Sequence, residues 1–304
     1  MDLLTREGEA EGSVDIHGCV TNLRHRRTRM VQTADQYAFL HHAIVHTLAF
    51  DSKPVQTEGF ATYMSDSENE QRLIKQFKQL EITMERSEEE QQASERNSAL
   101  TKSNREGADI PVLAMTPIED TVADFLCLTM QEKAACIVDM EKERSLYIPD
   151  LDTQTQFGLY TVDNLQQKST IYSVNRVLRI SYNGLGGSSE HTVSHYQVTA
   201  WQDNVKAPES ATHFLQLVKE VETKAASGSV IMHCKTGGGR CGLFAAVWTL
   251  LEKTGIEHEV SVFNTIRQLR ARRPNVVRTR EQYAFCHDCV REYLQSFDIY
   301  SNFS

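Results

Sequence analysis

The run Val230-Ile231-Met232-His233-Cys234-Lys235-Thr236-Gly237-Gly238-Gly239-Arg240-Cys241-Gly242, continuing into Leu243-Phe244-Ala245-Ala246-Val247-Trp248, decides the fold. It reads as a short buried strand, a glycine-rich loop and then a helix. A cysteine opens the loop and an arginine closes it, in the pattern H-C-x5-R-x-G. A thiol becomes a good nucleophile only when ionised, and a helix N-terminus with a nearby cation can bring its pKa to roughly 3.5–7.5. Glycines let successive backbone N–H groups curl around an anion, and the helix N-terminus adds partial positive charge. The planar fork of Arg240 fits two phosphate oxygens. Lys235, Thr236, Gly237, Gly238, Gly239 and Arg240 are therefore expected to hold phosphate against Cys234, as phosphoryl transfer to cysteine requires. Taken alone, the stretch also fits a plain strand–turn–helix connection with a buried cysteine. A Walker-type nucleotide loop fits less well, because G-x-x-x-x-G-K-[ST] is absent.

H-C-x5-R-x-G resembles the signature of the cysteine-dependent protein-tyrosine phosphatases. Further stretches, from about Cys19 to the C-terminus, resemble receptor-type members with two tandem phosphatase domains. The resemblance implies Cys234 as nucleophile and Arg240 as phosphate clamp. It implies an α/β fold with a twisted, mixed, largely parallel central sheet flanked by helices, incomplete relative to the family.

The chain has 304 residues and a formal net charge of −9, which argues against a nucleic-acid surface. Its longest nearly apolar stretch, Gly242 to Leu251, is far below the ~18–20 residues of a membrane span. The N-terminus does not read as a signal peptide. Seven scattered cysteines suggest reduced thiols and a cytoplasmic setting, on the inner side of the membrane if the parent is a receptor. Cys286-His287-Asp288-Cys289 could mean redox or zinc chemistry, but sits in a helical pattern with no second ligand pair and reads as ordinary helix positions.

Residues 1–14 are polar and acidic and are expected to form a disordered tail. Residues 15–50 read as helix, basic loop, helix. Within them, Val20 to Phe39 matches Ile266 to Phe285 without gaps at half of the positions, 246 residues downstream. Both copies resemble the last two helices of a tyrosine-phosphatase domain with the glutamine-bearing loop between them. Residues 15–50 are thus expected to be the end of a first domain, although two similar helical hairpins could also serve packing alone. Residues 51–70 read as an interdomain linker, and 71–304 as a second domain opening on an amphipathic helix with Leu73, Ile74, Phe77, Leu80 and Ile82. Glu88-Glu89-Glu90 reads as part of a solvated polar segment. Lys102-Ser103-Asn104-Arg105 resembles the family's K-N-R-Y loop, with Glu106 in the tyrosine position. The strands expected between this loop and Ile110-Pro111-Val112 are missing. Cys136 to Met140 and Thr170 to Tyr182 read as strands, with a turn from Gly184 to Ser189.

Trp201-Gln202-Asp203 resembles the mobile W-P-D loop, which implies Asp203 as the acid that protonates the leaving tyrosinate and then activates water. On its own, Asp203 would read as a surface turn residue. Gln202 replaces proline and frees the backbone there. Cys241 stands where the family has Ser or Thr, and is a weaker donor. Arg278 takes the first glutamine position of the glutamine loop, whereas Gln282 matches the second and is expected at the substrate. The expected function is phosphotyrosine hydrolysis through a cysteinyl-phosphate, with reduced activity. The alternative is a regulatory domain that binds phosphotyrosine without turnover. No metal or organic cofactor is expected. Phosphotyrosine proteins, and another phosphatase domain, are the expected partners.

Overall fold

The computed structural model describes residues 2–49, 53–82, 111–184, 187–203, 205–226 and 228–301. In chain order its elements are α1 (Asp2–Glu11), α2 (Ile16–Arg26), α3 (Ala34–Ala49), β1 (Val55–Gln56), α4 (Phe60–Ser65), α5 (Asn69–Ile82), β2 (Val112–Met115), α6 (Val122–Gln131), β3 (Ala134–Asp139), β4 (Gln154–Phe157), β5 (Tyr160–Ser169), β6 (Ser173–Gly184), β7 (Gly187–Val198), α7 (Ala211–Ala225), β8 (Ser229–Cys234), α8 (Arg240–Glu257), β9 (Glu259–Val260), α9 (Val262–Arg272) and α10 (Arg280–Ser301). The polar segment around Glu88-Glu89-Glu90, the Lys102-Ser103-Asn104-Arg105 loop and the gap that follows it lie outside the described residues.

A seven-stranded sheet runs in the order β2-β8-β3-β7-β6-β5-β4. β8 lies between β2 and β3 and is parallel to both, with Met232 opposite Leu113 on one side and Val138 on the other. β3 is also parallel to β7, whereas the β7-β6-β5-β4 half is antiparallel. The sheet is mixed as expected but evenly divided rather than largely parallel, because β4 to β7 follow one another through tight connections that allow only antiparallel pairing. Helices cover both faces of the central strands, which explains their unbroken apolar runs. Cys136, Val138, Val230 and Met232 point into one core with α7 and α8, while Ile137 and Ile231 point into another under α6.

Residues 51–70 do not behave as a linker along their whole length. β1 pairs antiparallel with β9, and Phe60 is buried against Tyr63 and His287. A pairing between segments some two hundred residues apart leaves no local trace in composition. α5 buries Leu73, Phe77 and Leu80 as its periodicity indicates.

The internal repeat is structural to the level of single hydrogen bonds. α2 and α3 begin 246 residues before α9 and α10. In the upstream copy Arg24 donates from Nε to Met30 O (3.1 Å) and from Nη2 to Val31 O (2.6 Å). In the downstream copy Arg270 donates to Val276 O (3.0 Å) and Val277 O, with a further bond to Leu80 O (3.1 Å). Val31 and Val277 both adopt positive φ (55° and 51°), a conformation unfavourable for a β-branched residue that the arginine grip imposes on each loop. The expected disordered tail is instead α1. At the same offset it matches the second half of α8: Leu4 and Leu250 are both buried, and Gly12 and His258 both end their helices with positive φ. Packing of Leu4 with Ile16, Val20 and Ile44 overrides the polar composition. The copies differ in cover. Phe285 is 6% exposed with its ring 5.4 Å from Phe214 of α7, whereas its equivalent Phe39 is 68% exposed.

Arg270→Ala should therefore destabilise the fold by about 3 kcal/mol or more, since it strands three buried carbonyls. Arg24→Ala, at an exposed site, should cost about 1 kcal/mol or less. Urea unfolding of both variants checks the contrast.

Candidate active site

Strand β8 delivers Cys234 to the C-terminal edge of the parallel half of the sheet, and the loop 235–239 turns into the N-terminus of α8. Gly237 makes the turn, with φ +66° and its N–H donating to Cys234 O (3.0 Å). A Cβ there would lie 3.1 Å from Ala114 O, so strand β2 walls the loop on that side. Arg273 donates to Gly237 O (2.6 Å) from outside, and the N–H of Gly239 donates to Thr236 Oγ1 (3.3 Å). Gly237 and Gly238 are buried, while Lys235 and Thr236 are exposed at the rim.

Cys234 is 2% exposed. Its thiol pKa is lowered to about 6, first because the Cys241 thiol donates to its sulfur; burial opposes this, and the N–H groups of Cys241, Thr236 and Arg240 add to it. Cys241, fully buried, is pushed well above the usual thiol range by burial and by its bond to Cys234. The residue that sequence reading marks as a weak donor is thus aimed at the nucleophile.

The Arg240 guanidinium is held by other partners. It donates to Met140 O (2.7 Å), to Gln202 O (3.2 Å) and to Asp203 Oδ1 (2.7 Å), and lies 5.2 Å from the Trp201 ring. Trp201 is buried and anchors the segment by donating to Val205 O (2.9 Å), whereas the Asp203 side chain is 70% exposed. Gln202 accepts from Lys142 Nζ (2.8 Å), a contact proline could not make. The structure therefore brings Cys234, Arg240 and Asp203 to one place. Gln282 is arranged differently from the expected substrate contact: its Oε1 accepts from Arg278 N (2.8 Å) and its Nε2 donates to Lys206 O (3.0 Å). It ties the glutamine loop to the segment carrying Asp203, and Lys206–Glu281 (3.1 Å) adds a second tie. Arg278 is exposed. Cys286 and Cys289 are buried in α10, with both thiols raised by burial.

Sequence reading missed the polar network beneath the loop. His233 bonds Thr116 Oγ1 through Nδ1 (3.1 Å) and the Tyr147 hydroxyl through Nε2 (2.7 Å), and Tyr147 in turn meets His195 Nε2 (3.2 Å). Asp139 accepts from Ser145 Oγ (2.8 Å) and Glu141 N (2.9 Å) and lies 3.6–3.7 Å from both histidines. Burial lowers His233 to about 4 and also lowers His195, so both are neutral at pH 7. Burial would raise Asp139, but the two histidines and the Glu141 N–H outweigh it and hold the carboxyl below its usual range. Asp139, His195 and His233 carry metal-ligand atoms within 4.8 Å of one another. Since both nitrogens of His233 already have hydrogen-bond partners, the set works as a bonded support for the residue before Cys234. The available signal was Asp139 and His233, polar residues inside otherwise apolar central strands.

Alkylation of Cys234 by iodoacetamide, followed by peptide mass, should rise with pH to a plateau with a midpoint near 6. Cys241→Ala removes the foremost donor and should move that midpoint upward; an unmoved midpoint would show that the thiol–thiol bond is unimportant.

A sequence model described as protein-tyrosine phosphatase matches residues 1–46 and 97–292. Among curated relatives, receptor-type tyrosine-protein phosphatase U of Gallus gallus is 26% identical over 349 residues, covering 98% of this chain and 24% of the relative. Receptor-type tyrosine-protein phosphatase S of the same species is 25% identical, covering 99% and 23%, and tyrosine-protein phosphatase Lar of Drosophila melanogaster is 26% identical, covering 99% and 17%. The chain spans about a quarter or less of the length of these relatives. No helix among the described residues is long and apolar enough to cross a membrane. With the family match covering most of its residues and the signature loop seated between parallel strands and helix, the chain belongs to the protein-tyrosine phosphatase family.

Proposed function

We propose that the chain hydrolyses phosphotyrosine through a cysteinyl-phosphate. The Cys234 thiolate attacks phosphorus and the P–O bond to the tyrosine breaks, while Asp203, released from Arg240 by the phosphate and protonated from solvent, gives that proton to the departing phenolate oxygen. Asp203 then takes a proton from water as the water attacks phosphorus, and Cys234 leaves as a thiolate that accepts again from Cys241. Arg240 grips the phosphate oxygens throughout. The observation that carries this reading is the 2.7 Å Arg240–Asp203 ion pair beside a loop whose thiol has a pKa of about 6. It supports a reading in which acid, clamp and nucleophile serve one substrate. The same pair supports reduced activity, because a phosphate must first displace Asp203 from the guanidinium.

A second reading is a regulatory domain that retains phosphotyrosine without turning it over. Arg278 favours it, since a guanidinium has no acceptor with which to orient the attacking water. Under either reading the partners are phosphotyrosine proteins and another phosphatase domain, on the cytoplasmic side of a receptor. Lys235 to Gly239 would line the phosphate, while Gln282 would couple the loops rather than touch substrate.

Hydrolysis of a phosphotyrosine peptide tests this. Asp203→Asn should lower kcat by about 10²–10⁴-fold, Cys234→Ser should abolish turnover while keeping peptide affinity, and Arg278→Gln should raise kcat. Retention of the peptide by the wild-type chain with no turnover would establish the regulatory reading instead.

A further inference from the structure

The chain just after β3, residues 140–142, touches both the clamp and the segment carrying Asp203. Met140 O accepts from Arg240 Nη1 (2.7 Å), and Lys142 Nζ donates to Gln202 Oε1 (2.8 Å). These residues are fixed from beneath. Gln197 of β7, 3% exposed, donates from Nε2 to Lys142 O (2.9 Å) and Glu141 O (3.3 Å). Its Oε1 accepts from Arg176 of β6 (2.9 Å), whose Nε donates to Gln167 of β5 (2.9 Å). Thr116 Oγ1 ties the Glu141 carboxylate from the other side (3.2 Å). Lys142 thus rises from a firm base, whereas Gln202 and Asp203 are exposed and belong to neither helix nor strand. Arg240 reaches that segment through Gln202 O and Asp203 Oδ1, and Lys142 reaches it through the Gln202 side chain. Of these contacts, only that of Lys142 is independent of the guanidinium.

We propose that Lys142 is a positioning residue for Asp203, acting through Gln202. The inference rests on the reading of Asp203 as the acid. Phosphate entering the loop takes Arg240 away from Asp203, and the Lys142–Gln202 bond then keeps the segment over the loop, with the carboxyl in reach of the ester oxygen. Before phosphate arrives, the same bond holds Asp203 against the guanidinium and so opposes anion entry. Proline at position 202 would have no side-chain acceptor, so the replacement that frees the backbone also supplies the brace. One bond therefore favours proton transfer and disfavours anion binding, and its removal moves the two in opposite directions. Lys142 and Gln202 are both exposed, which limits the effect to about three- to tenfold.

The test uses the full chain. Lys142→Met keeps an aliphatic stem and removes the donor, and Gln202→Met removes the acceptor. Each should lower kcat on a phosphotyrosine peptide by about three- to tenfold. In each, orthovanadate should protect Cys234 from iodoacetamide at a concentration lower by a similar factor. Lys142→Arg, which keeps a donor, should return both values toward those of the wild type. The double variant should be no slower than either single one, because the two residues act through one bond. The protection arm needs no turnover: in a chain that hydrolyses nothing the catalytic reading fails, yet tighter vanadate protection in both single variants still shows Lys142 holding Asp203 at the guanidinium. Three outcomes would overturn the proposal: losses that multiply in the double variant, weaker vanadate protection in the single variants (the mark of a contact that only stabilises the fold), or values unchanged throughout.

Discussion

Everything in the site answers to one constraint: an anionic sulfur almost out of contact with water needs hydrogen-bond donors aimed at it. The donors come from the turn itself. Gly237 folds the loop back, α8 starts immediately after it, and the first turn of that helix presents N–H groups and the Cys241 thiol to Cys234. The arrangement requires strand β8 to stop at a defined height, which its parallel registers with β2 and β3 set. Below, Thr116 and Tyr147 bond both ring nitrogens of His233, and His195 meets Tyr147, which holds the residue before Cys234 in position.

The parts of this arrangement that were legible in the sequence are those written in contiguous residues. The signature loop, the two-faced apolar strands and the homologous hairpins all follow from short spacings or from direct comparison within the chain. What was not legible depends on distant segments. The first helix looks like a polar tail until Leu4 is matched with Leu250; the comparison that exposed the repeat, carried a few residues further upstream, would have found it. The β1–β9 pairing and the Asp139 network join residues far apart in the chain. The helix N-terminus expected to lower the Cys234 pKa does so through backbone N–H groups, but the expected cation is not among the causes: the Arg240 guanidinium pairs with Asp203 and the neighbouring thiol contributes first.

The repeat shows how much of a loop's geometry one side chain can enforce. In both copies an arginine in the first helix grips two successive carbonyls, and in both a valine is held at positive φ beneath that grip. The backbone strain is tolerated in a well-covered copy and in one whose Phe39 stands in solvent. The constraint is therefore local to the hairpin, and the surrounding core adds stability without dictating the turn.

The Arg240–Asp203 contact has one more implication. A carboxylate tethered by its own loop acts as a resident competitor at a fixed effective concentration, and a visiting anion gains only the difference between its grip on the guanidinium and that of Asp203. A singly charged guest has little surplus to offer, while a doubly charged ester with three terminal oxygens has a large one. On the proposed reading, the chain would thereby discriminate by charge count before any side chain of the substrate is inspected.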